Sequence, residues 1–338
     1  MSATTNLPTT PRGAELPPGV PLVLDATSVS VSFRGKGSRY NTVVDSVGLG
    51  LEQSQVTVLL GESGSGKTVF ARSITGMAPR GARVAGAAVF SGQNLLELNG
   101  SELRKVQGNR IGMVPQDPNA SLDPMRRVGG QIIETLMQHG KAASKTAAKA
   151  RMLELLELVH IHEPERVAQC YPHEVSGGMR QRIAIAIAIC CDPELIVADE
   201  PSSALDASVG VRVVQLLDDL RERLNTAILF ITHDIGIAAL IASKPNDRVA
   251  VMLGGRIVEL GFAHQVLRNP KHPYTRALLA AEPSADVARG SLAVVPDEVR
   301  TQRNWGPLLE VEPGHAVASL IEDTTDAKGG IMILAAPF

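Results

Sequence analysis

The sequence has few cysteines, few aromatic residues and almost no net charge. Three of its 338 residues are cysteines, and two of these, Cys190 and Cys191, are adjacent. This spacing favours neither a disulfide framework nor a cysteine-based zinc site, so a reducing cytosol fits best. A net charge of −2 at pH 7 lacks the basic excess of nucleic-acid-binding proteins, which disfavours DNA binding as the main function.

Long hydrophobic runs are missing as well. The longest, IAIAIAICC at 183–191, has about half of the length that a membrane-spanning helix needs. Residues 1–21 are rich in Pro and Thr and have neither a basic start nor an apolar run, which predicts a flexible tail rather than a signal peptide. We therefore expect a cytoplasmic protein that reaches a membrane only through a partner.

The sequence does contain an orderly succession of strand-like and helix-like segments. Alternating residues at 22–33 predict strands at the start, and VTVLL at 56–60 leads through glycines into a predicted helix. Residues 141–159 have high helix propensity and an apolar face. The apolar runs at 194–200 and 226–234 end in acidic or His residues, as buried strands of a parallel sheet do when functional groups lie at their carboxyl ends. These segments predict an α/β fold with a helical middle region.

The first candidate site is the glycine loop, GESGSGKT at 61–68, which fits G-x-x-x-x-G-K-[ST] between a predicted strand and a predicted helix. Glycines at 64 and 66 let the backbone curl so that N–H groups point at phosphate oxygens. Lys67 reaches the β and γ phosphates, and the Thr68 hydroxyl is suited to ligate Mg²⁺. A chance match in a chain of this length is expected roughly once in a hundred sequences. We predict nucleotide binding by all eight residues: Gly61, Glu62, Ser63, Gly64, Ser65, Gly66, Lys67 and Thr68.

An acidic pair and a histidine follow two of the buried strands. Asp199 and Glu200 end LIVADE, and His233 follows AILFIT. In isolation such a pair is more often a helix cap or a solvated turn. Beside a phosphate loop, Asp199 is suited to hold Mg²⁺, and Glu200 to accept a proton from the water that attacks the γ phosphate. His233 would then contact that phosphate from the next strand end.

A second glycine-led helix start occurs in HEVSGGMRQR at 173–182, where Ser176, Gly177 and Gly178 precede a helix-like segment. Such a start has free backbone N–H groups and a partial positive charge, so it also attracts anions. The chain thus has two candidate phosphate sites more than a hundred residues apart.

The order of these motifs resembles the nucleotide-binding subunits of ABC transporters. The glycine loop is similar to that family's Walker A motif, LIVADE to Walker B, VSGGM to the signature motif, and SALD at 203–206 to the D-loop. Gln116 in VPQDP is similar to the Q-loop glutamine, and His233 to the switch histidine. The resemblance covers roughly residues 22–283.

The resemblance implies a P-loop NTPase (RecA-like) core with an antiparallel β subdomain, an inserted helical subdomain and a small C-terminal module. We place the ABC ATPase domain at 22–254, with the helical subdomain at about 117–190. The C-terminal module, of the oligopeptide-transporter type, is placed at 255–323, and tails at 1–21 and 324–338.

In that family, two ATPase subunits face each other head to tail, and each ATP lies between one subunit's Walker A motif and the other's signature helix. The resemblance implies that Ser176, Gly177 and Gly178 serve the nucleotide of a partner ATPase, which is either a second copy or a homologous chain. Asp206, in the D-loop, is a further implied nucleotide-binding residue. The resemblance also implies two transmembrane permease subunits and an extracytoplasmic solute-binding protein as partners, and it places this chain peripherally at the cytoplasmic face of the inner or plasma membrane. The implied catalytic residues are Glu200, His233 and Gln116, and the implied Mg²⁺ ligands are Thr68, Gln116 and Asp199.

A narrower resemblance comes from the stretches at 117–132, 171–182 and 268–283, the last of which contains HPYT. They look like the ATPases of oligopeptide, dipeptide and nickel importers. Members of that group often carry late cysteines that ligate an iron–sulfur cluster, but here no cysteine follows Cys191. We therefore expect peptide uptake, with ATP and Mg²⁺ and without a cluster.

Three alternatives differ in class. One is an importer ATPase for nickel or metal chelates. Another is a soluble ABC ATPase that works on DNA, ribosomes or cluster assembly, although such relatives typically carry insertions that are not seen here. The third, a silent regulatory copy, is disfavoured because Lys67, Asp199, Glu200 and His233 are all present.

The adenine is expected to stack on an aromatic side chain near the first strands. Phe33 matches the family's position best, and Tyr40, across the basic turn, is the alternative. Phe33 is also compatible with an ordinary place in the core of a strand.

Overall fold

A computed structural model describes residues 21–35, 39–281, 295–302 and 304–320. The predicted tails, apart from residue 21, and the end of the predicted C-terminal module lie outside these ranges. The strands are β1 (Leu22–Arg34), β2 (Tyr40–Glu52), β3 (Val56–Leu60), β4 (Ala82–Phe90), β5 (Gln93–Asn94), β6 (Ile111–Val114), β7 (Leu195–Asp199), β8 (Ala227–Thr232), β9 (Arg248–Leu253), β10 (Arg256–Phe262), β11 (Trp305–Glu312) and β12 (His315–Leu320).

The helices lie mainly between β3 and β10. They are α1 (Lys67–Ile74), α2 (Gly100–Val106), α3 (Pro118–Ser121), α4 (Val128–Gln138), α5 (Lys145–Leu158), α6 (Pro164–Gln169), α7 (Gly177–Ile189), α8 (Ala207–Leu224), α9 (Ile235–Ile241), α10 (Ala263–Arg268), α11 (Pro273–Ala280) and α12 (Asp297–Thr301). No helix in the described part of the chain is long and apolar enough to cross a membrane.

The larger sheet has the order β11-β12-β10-β9-β3-β8-β7-β6. Strands β9, β3, β8, β7 and β6 pair in parallel with one another, and every residue of β3, β7 and β8 is buried. Such continuous apolar strands form when helices cover both faces of a sheet. Parallel pairing puts the carboxyl ends of β3, β8 and β7 at one edge, and this edge positions the candidate site.

The smaller sheet is antiparallel, in the order β2-β1-β4-β5. Its inner face packs with helix α1 and with one face of the larger sheet in a shared hydrophobic core. Phe70 and Ile74 of α1 are fully buried in that core. Helix α1, which follows the glycine loop, is therefore clamped between the two sheets.

The middle of the chain is helical: α3 to α7 are its helices from residue 118 to residue 189. Helix α5 begins after Ser144, whose side chain accepts a hydrogen bond from the Ala147 N–H group. This N-cap satisfies one of the free donors of the helix start. Helix α7 packs against α3, α4 and α5 and also against β6, so it connects the helical region to the sheet edge.

The C-terminal strands continue the core sheet. Strand β10 pairs with β9 across the predicted domain boundary, and β12 pairs with β10. A buried side-chain contact lies in this extension, where Nε2 of His315 is within hydrogen-bonding distance, 2.7 Å, of a carboxylate oxygen of Glu259. Burial raises the pKa of Glu259, but hydrogen bonds from His315 and from the N–H groups of Lys271 and His272 outweigh it and hold that pKa below its usual value.

His272 begins helix α11, and its Nδ1 accepts a hydrogen bond from the Tyr274 N–H group at 3.1 Å. The side chain is completely buried, and burial lowers its pKa to about 4 from 6.5. Between these values the unfolded chain binds a proton that the folded chain does not, so stability falls as pH falls from 6.5 to 4. The shift corresponds to about 3 kcal/mol.

We expect His272→Asn to reduce this acid sensitivity, because an Asn side chain can still cap the helix but does not titrate. Urea unfolding at pH 7 and at pH 4.5 measures the effect. The wild type should lose about 2 to 3 kcal/mol more than the variant over this interval. Equal losses in the two proteins would mean that His272 does not titrate as its burial predicts.

Candidate functional site

The glycine loop, the acidic pair and His233 lie at one edge of the larger sheet. In the strand order β3-β8-β7, Leu60 pairs with Thr232, and Asp199 pairs with Ile231. The residues that follow these strands must therefore start from adjacent points. The sheet register alone explains why residues far apart in sequence meet here.

The glycine loop is folded as a tight curl that needs its glycines. Gly61 has φ = 152°, and a Cβ atom at this position would lie 2.3 Å from the carbonyl oxygen of Met252. Gly66, with φ = 104°, is the N-cap of α1, and a Cβ atom at this position would lie 3.1 Å from the carbonyl oxygen of Val43. Side chains at these places would collide with backbone or force a left-handed conformation. The curl therefore ends in a helix N-terminus, which attracts anions.

Lys67 lies inside the curl. Its Nζ donates hydrogen bonds to the carbonyl oxygens of Gly61, at 2.6 Å, and Glu62, at 2.9 Å. Burial lowers the pKa of Lys67, while the negative charges of Glu200, Asp199 and Glu62 raise it and offset part of that shift. A buried ammonium group beside three carboxylates and a helix N-terminus is suited to bind a polyphosphate.

Asp199 is buried at the end of β7 and faces the glycine loop. Its Oδ1 accepts a 2.8 Å hydrogen bond from the Thr68 hydroxyl, and its Oδ2 lies 3.4 Å from the Arg72 guanidinium. The structure thus brings Thr68 and Asp199 into direct contact, although 131 residues separate them. A hydroxyl and a carboxylate side by side are hard oxygen ligands of the kind that Mg²⁺ prefers.

Thr68 and Asp199 would supply only part of the coordination shell of a Mg²⁺ ion. Among the residues that the structure describes, no group of three or more His, Cys, Asp or Glu side chains is arranged to hold a metal ion. Mg²⁺ is usually bound by one or two protein oxygens together with substrate phosphates and water. Thr68 and Asp199 fit an ion that arrives with a nucleotide.

Glu200 is held between two polar side chains. Its carboxylate accepts a hydrogen bond from Nε2 of Gln116 at 3.2 Å and lies 3.0 Å from Nδ1 of His233. Glu200 also has φ = 47°, a left-handed conformation that is uncommon for a residue other than glycine. Strain of this kind concentrates at functional sites.

Ser176 caps helix α7, and its Oγ accepts a hydrogen bond from the Met179 N–H group at 3.3 Å. A Cβ atom at Gly178 would lie 2.7 Å from Val209 of α8, so that glycine is needed for close helix packing. Gly177 has no such constraint. Within the described residues, no hydrogen bond or ion pair joins 176–178 to the glycine loop.

The sheet explains this separation. Helix α7 packs on β6, which is three strands away from β3 in the sheet order. At about 4.8 Å per strand, this corresponds to roughly 14 Å. The two candidate phosphate sites of one chain are therefore separate, and Ser176 of the second site is exposed.

Asp206 is the N-cap of α8. Its Oδ1 accepts hydrogen bonds from the Val209 N–H group at 3.0 Å and from the Ser208 hydroxyl at 2.9 Å, and these bonds lower the pKa of Asp206. Within its own chain, Asp206 thus has a structural role at a helix start.

The two candidate aromatic residues lie on neighbouring strands. Phe33 of β1 is partly buried against the core shared by the two sheets, opposite Asn41 in β2. Tyr40 is 48% exposed, and the Arg83 guanidinium lies 5.0 Å from the centre of its ring. Tyr40 thus has the more accessible ring, and Phe33 the more ordinary core position.

Two contacts to the glycine loop were missed from the sequence. The Tyr274 hydroxyl accepts a hydrogen bond from the Glu62 N–H group at 3.2 Å, and the Gly255 N–H group donates to the carbonyl oxygen of Ser65 at 2.9 Å. Tyr274 belongs to the HPYT stretch, which the sequence singled out as a resemblance without indicating any contact. Gly255 lies in the turn between β9 and β10.

Comparison with known proteins places this geometry in a family. The sequence model described as ABC transporter matches residues 44–203, and the model described as oligopeptide/dipeptide transporter, C-terminal region, matches residues 258–306. The second match includes strand β10 and the HPYT stretch.

Curated relatives match over most of their length. The chain is 42% identical to the dipeptide transport ATP-binding protein DppD of Lactococcus lactis, over 81% of this chain and 77% of the relative. It is 39% identical to a probable peptide ABC transporter ATP-binding protein of Sinorhizobium fredii, over 89% and 95%. It is also 42% identical to the oligopeptide transport ATP-binding protein OppD of Bacillus subtilis, over 78% and 73%.

Solved structures match as well. The dimeric structure of a bacterial ABC transporter cassette has a TM-score of 0.63 and 26% identity, over 71% of this chain and 98% of the cassette. A post-hydrolysis dimer of an ATP-binding cassette, bound to ADP and Pi, has a TM-score of 0.62 and the same identity and coverage.

Proposed function

The chain belongs to the ATP-binding proteins of ABC transporters, and from this premise we propose that it hydrolyses ATP to drive uptake of di- and oligopeptides through partner membrane subunits. The substrate class is supported by relatives named for dipeptide, peptide and oligopeptide transport. It is also supported by the matching C-terminal region, 258–306, whose description names oligopeptide and dipeptide transporters.

The observation that carries the proposed chemistry is the placement of Glu200. Its carboxylate is hydrogen-bonded to Gln116 and lies beside His233, at the same sheet edge as the glycine loop. In this position Glu200 is suited to take a proton from a water molecule that attacks the terminal phosphate. His233 and Gln116 orient the carboxylate and border the space where that phosphate would lie.

The proposed binding of ATP uses the glycine loop. The N–H groups at the start of α1 and the Lys67 ammonium group would donate hydrogen bonds to phosphate oxygens. Thr68 and Asp199 would hold Mg²⁺, with Gln116 as a further oxygen ligand, and the ion would offset phosphate charge. The adenine would stack on Tyr40 or Phe33. The proposal includes no iron–sulfur cluster.

The proposed partner of each nucleotide is the signature helix of an opposing ATPase. Ser176 and Gly177 lie at a capped helix N-terminus that makes no hydrogen bond or ion pair to the glycine loop within the described residues. A helix N-terminus attracts a γ phosphate, which ATP has and ADP lacks. We propose that ATP joins two ATPases head to tail, with Asp206 at the same junction, and that hydrolysis separates them.

The proposed function is tested with the complex purified from its native membrane and placed in lipid nanodiscs. ATPase activity is measured with the co-purifying solute-binding protein and a mixture of di- to pentapeptides, or with nickel chelates. We expect stimulation by peptides. Stimulation by nickel chelates alone would mean that the substrates are metal chelates rather than peptides. Recovery of the chain without any permease subunit would contradict a transport function.

A further inference from the structure

The C-terminal part of the chain reaches the glycine loop through one buried hydroxyl group. Tyr274, in the second position of helix α11, is completely buried. Its hydroxyl oxygen accepts a hydrogen bond from the backbone N–H group of Glu62 at 3.2 Å. These residues are 212 positions apart. Glu62 directly follows Gly61, where the loop begins to curl.

A buried carboxylate holds the chain segment that carries Tyr274. Glu259 of β10 accepts hydrogen bonds from the N–H groups of Lys271, at 2.7 Å, and His272, at 3.1 Å. His315 of β12 completes the shell of Glu259, and His272 in turn caps the helix of Tyr274. Because these groups are buried and mutually bonded, the Tyr274 ring has little freedom to move.

A second contact holds the other end of the same curl. The Gly255 N–H group, in the turn between β9 and β10, donates to the carbonyl oxygen of Ser65 at 2.9 Å. Between the two anchored residues lie Ser63 and Gly64, which are exposed, and a Cβ atom at Gly64 would meet no other atom within 4 Å. The free part of the loop is thus short and is fixed at both ends.

We propose that Tyr274 is a positioning residue for ATP binding, which acts by holding the Glu62 end of the glycine loop in the conformation that receives phosphates. Residues from β10 onward then belong to the ATP-binding apparatus without touching the nucleotide. The inference rests on the proposed assignment of the glycine loop as the ATP site. Neither the family match nor the motif pattern assigns a role to this hydroxyl.

The test is Tyr274→Phe in the full-length chain, because Phe keeps the ring and its packing but removes the oxygen. The Glu62 N–H group then loses its acceptor, and the loop can leave the binding conformation. We expect the Kd for ATP, measured with a fluorescent ATP analogue and by competition with ATP, to rise about five- to tenfold. At saturating ATP, kcat should change less than twofold, because the catalytic groups at β7 and β8 are untouched.

Thr226→Val is the matched control. Thr226 is completely buried just before β8, at the end of that strand that lies away from the glycine loop, and its hydroxyl group bonds to the Ala227 carbonyl. We expect its Kd for ATP to equal that of the wild type, even if both variants lose similar thermal stability. An unchanged Kd in Tyr274→Phe, or an equal increase in Thr226→Val, would overturn the proposal.

A double-mutant cycle identifies the contact itself. Glu62→Pro removes the N–H donor, so Tyr274→Phe should add little to its effect on the Kd. Fully additive effects would contradict the proposed contact. Lys67→Ala distinguishes failure of the proposed ATP site from failure of the proposed role of Tyr274. If Lys67→Ala binds ATP normally, residues 61–68 are not the ATP site. If Lys67→Ala loses ATP binding but Tyr274→Phe has the wild-type Kd, only the positioning role of Tyr274 is contradicted.

Discussion

Glu200→Gln is expected to lower kcat for ATP hydrolysis by about 10²- to 10⁴-fold while ATP binding persists. The amide keeps the size of the side chain and still meets Gln116 and His233, but it cannot take a proton from water. ATP would then remain bound between two ATPases, so the variant should form a dimer that depends on ATP. Phosphate release measures the first effect, and size-exclusion chromatography with light scattering measures the second.

Glu157→Gln provides the control for this experiment, because Glu157 is an exposed carboxylate of helix α5. It should hydrolyse ATP at the wild-type rate and show no dimer that persists with ATP. Wild-type turnover by Glu200→Gln would remove Glu200 from the role of general base. Loss of turnover together with loss of ATP binding would assign Glu200 to binding instead.

Lys67→Ala is expected to weaken ATP binding by at least about 100-fold, the order seen when one partner of a buried charge pair is removed. The Lys67 ammonium lies inside the glycine loop and bonds to its Gly61 and Glu62 carbonyls. Without it, the loop loses both the charge that faces the phosphates and two of its internal hydrogen bonds. Isothermal titration with ATP and Mg²⁺ measures the loss.

The matched control is Lys149→Ala, which removes an exposed lysine from helix α5. Its affinity for ATP should equal that of the wild type. Near-normal affinity in Lys67→Ala would contradict the assignment of residues 61–68 as the nucleotide site.

The sequence predicted the fold class and the neighbourhood of the site for a physical reason. Each of the strands β3, β7 and β8 is a short apolar run that ends directly at a motif, and parallel pairing brings such ends together. The fold class and the family are confirmed by the match to ABC transporter cassettes. The contact between Thr68 and Asp199 follows from this arrangement, because β3, which leads into the glycine loop, and β7, which ends at Asp199, are separated only by β8.

Other features depended on contacts that no local pattern encodes. Glu200 has its left-handed conformation directly after β7, where its N–H group bonds to the Ile231 carbonyl of β8 at 3.0 Å. The sequence indicates Gly178 only as part of an anion site. The structure shows that this residue must also be small, because Val209 of helix α8 packs against it. Such constraints come from distant residues, and a single sequence does not display them.

The C-terminal region illustrates the same limit. The sequence predicts a small C-terminal module but not the pairing of its strands, in which β10 lies beside β9 and β12 beside β10. The HPYT stretch is recognisable in the sequence. The hydrogen bond between its Tyr274 and Glu62, however, depends on the fold bringing together residues that are 212 positions apart. Sequence spacing carries no information about that approach.

We expect each bound ATP to be completed by the signature helix of the opposing ATPase. The decisive measurement is the structure of the full complex with Glu200→Gln, ATP and Mg²⁺. We predict that Ser176 Oγ lies about 3 Å from a γ-phosphate oxygen of the ATP held by the opposing subunit. A closed assembly in which Ser176 is beyond hydrogen-bond reach of every nucleotide would contradict the claim.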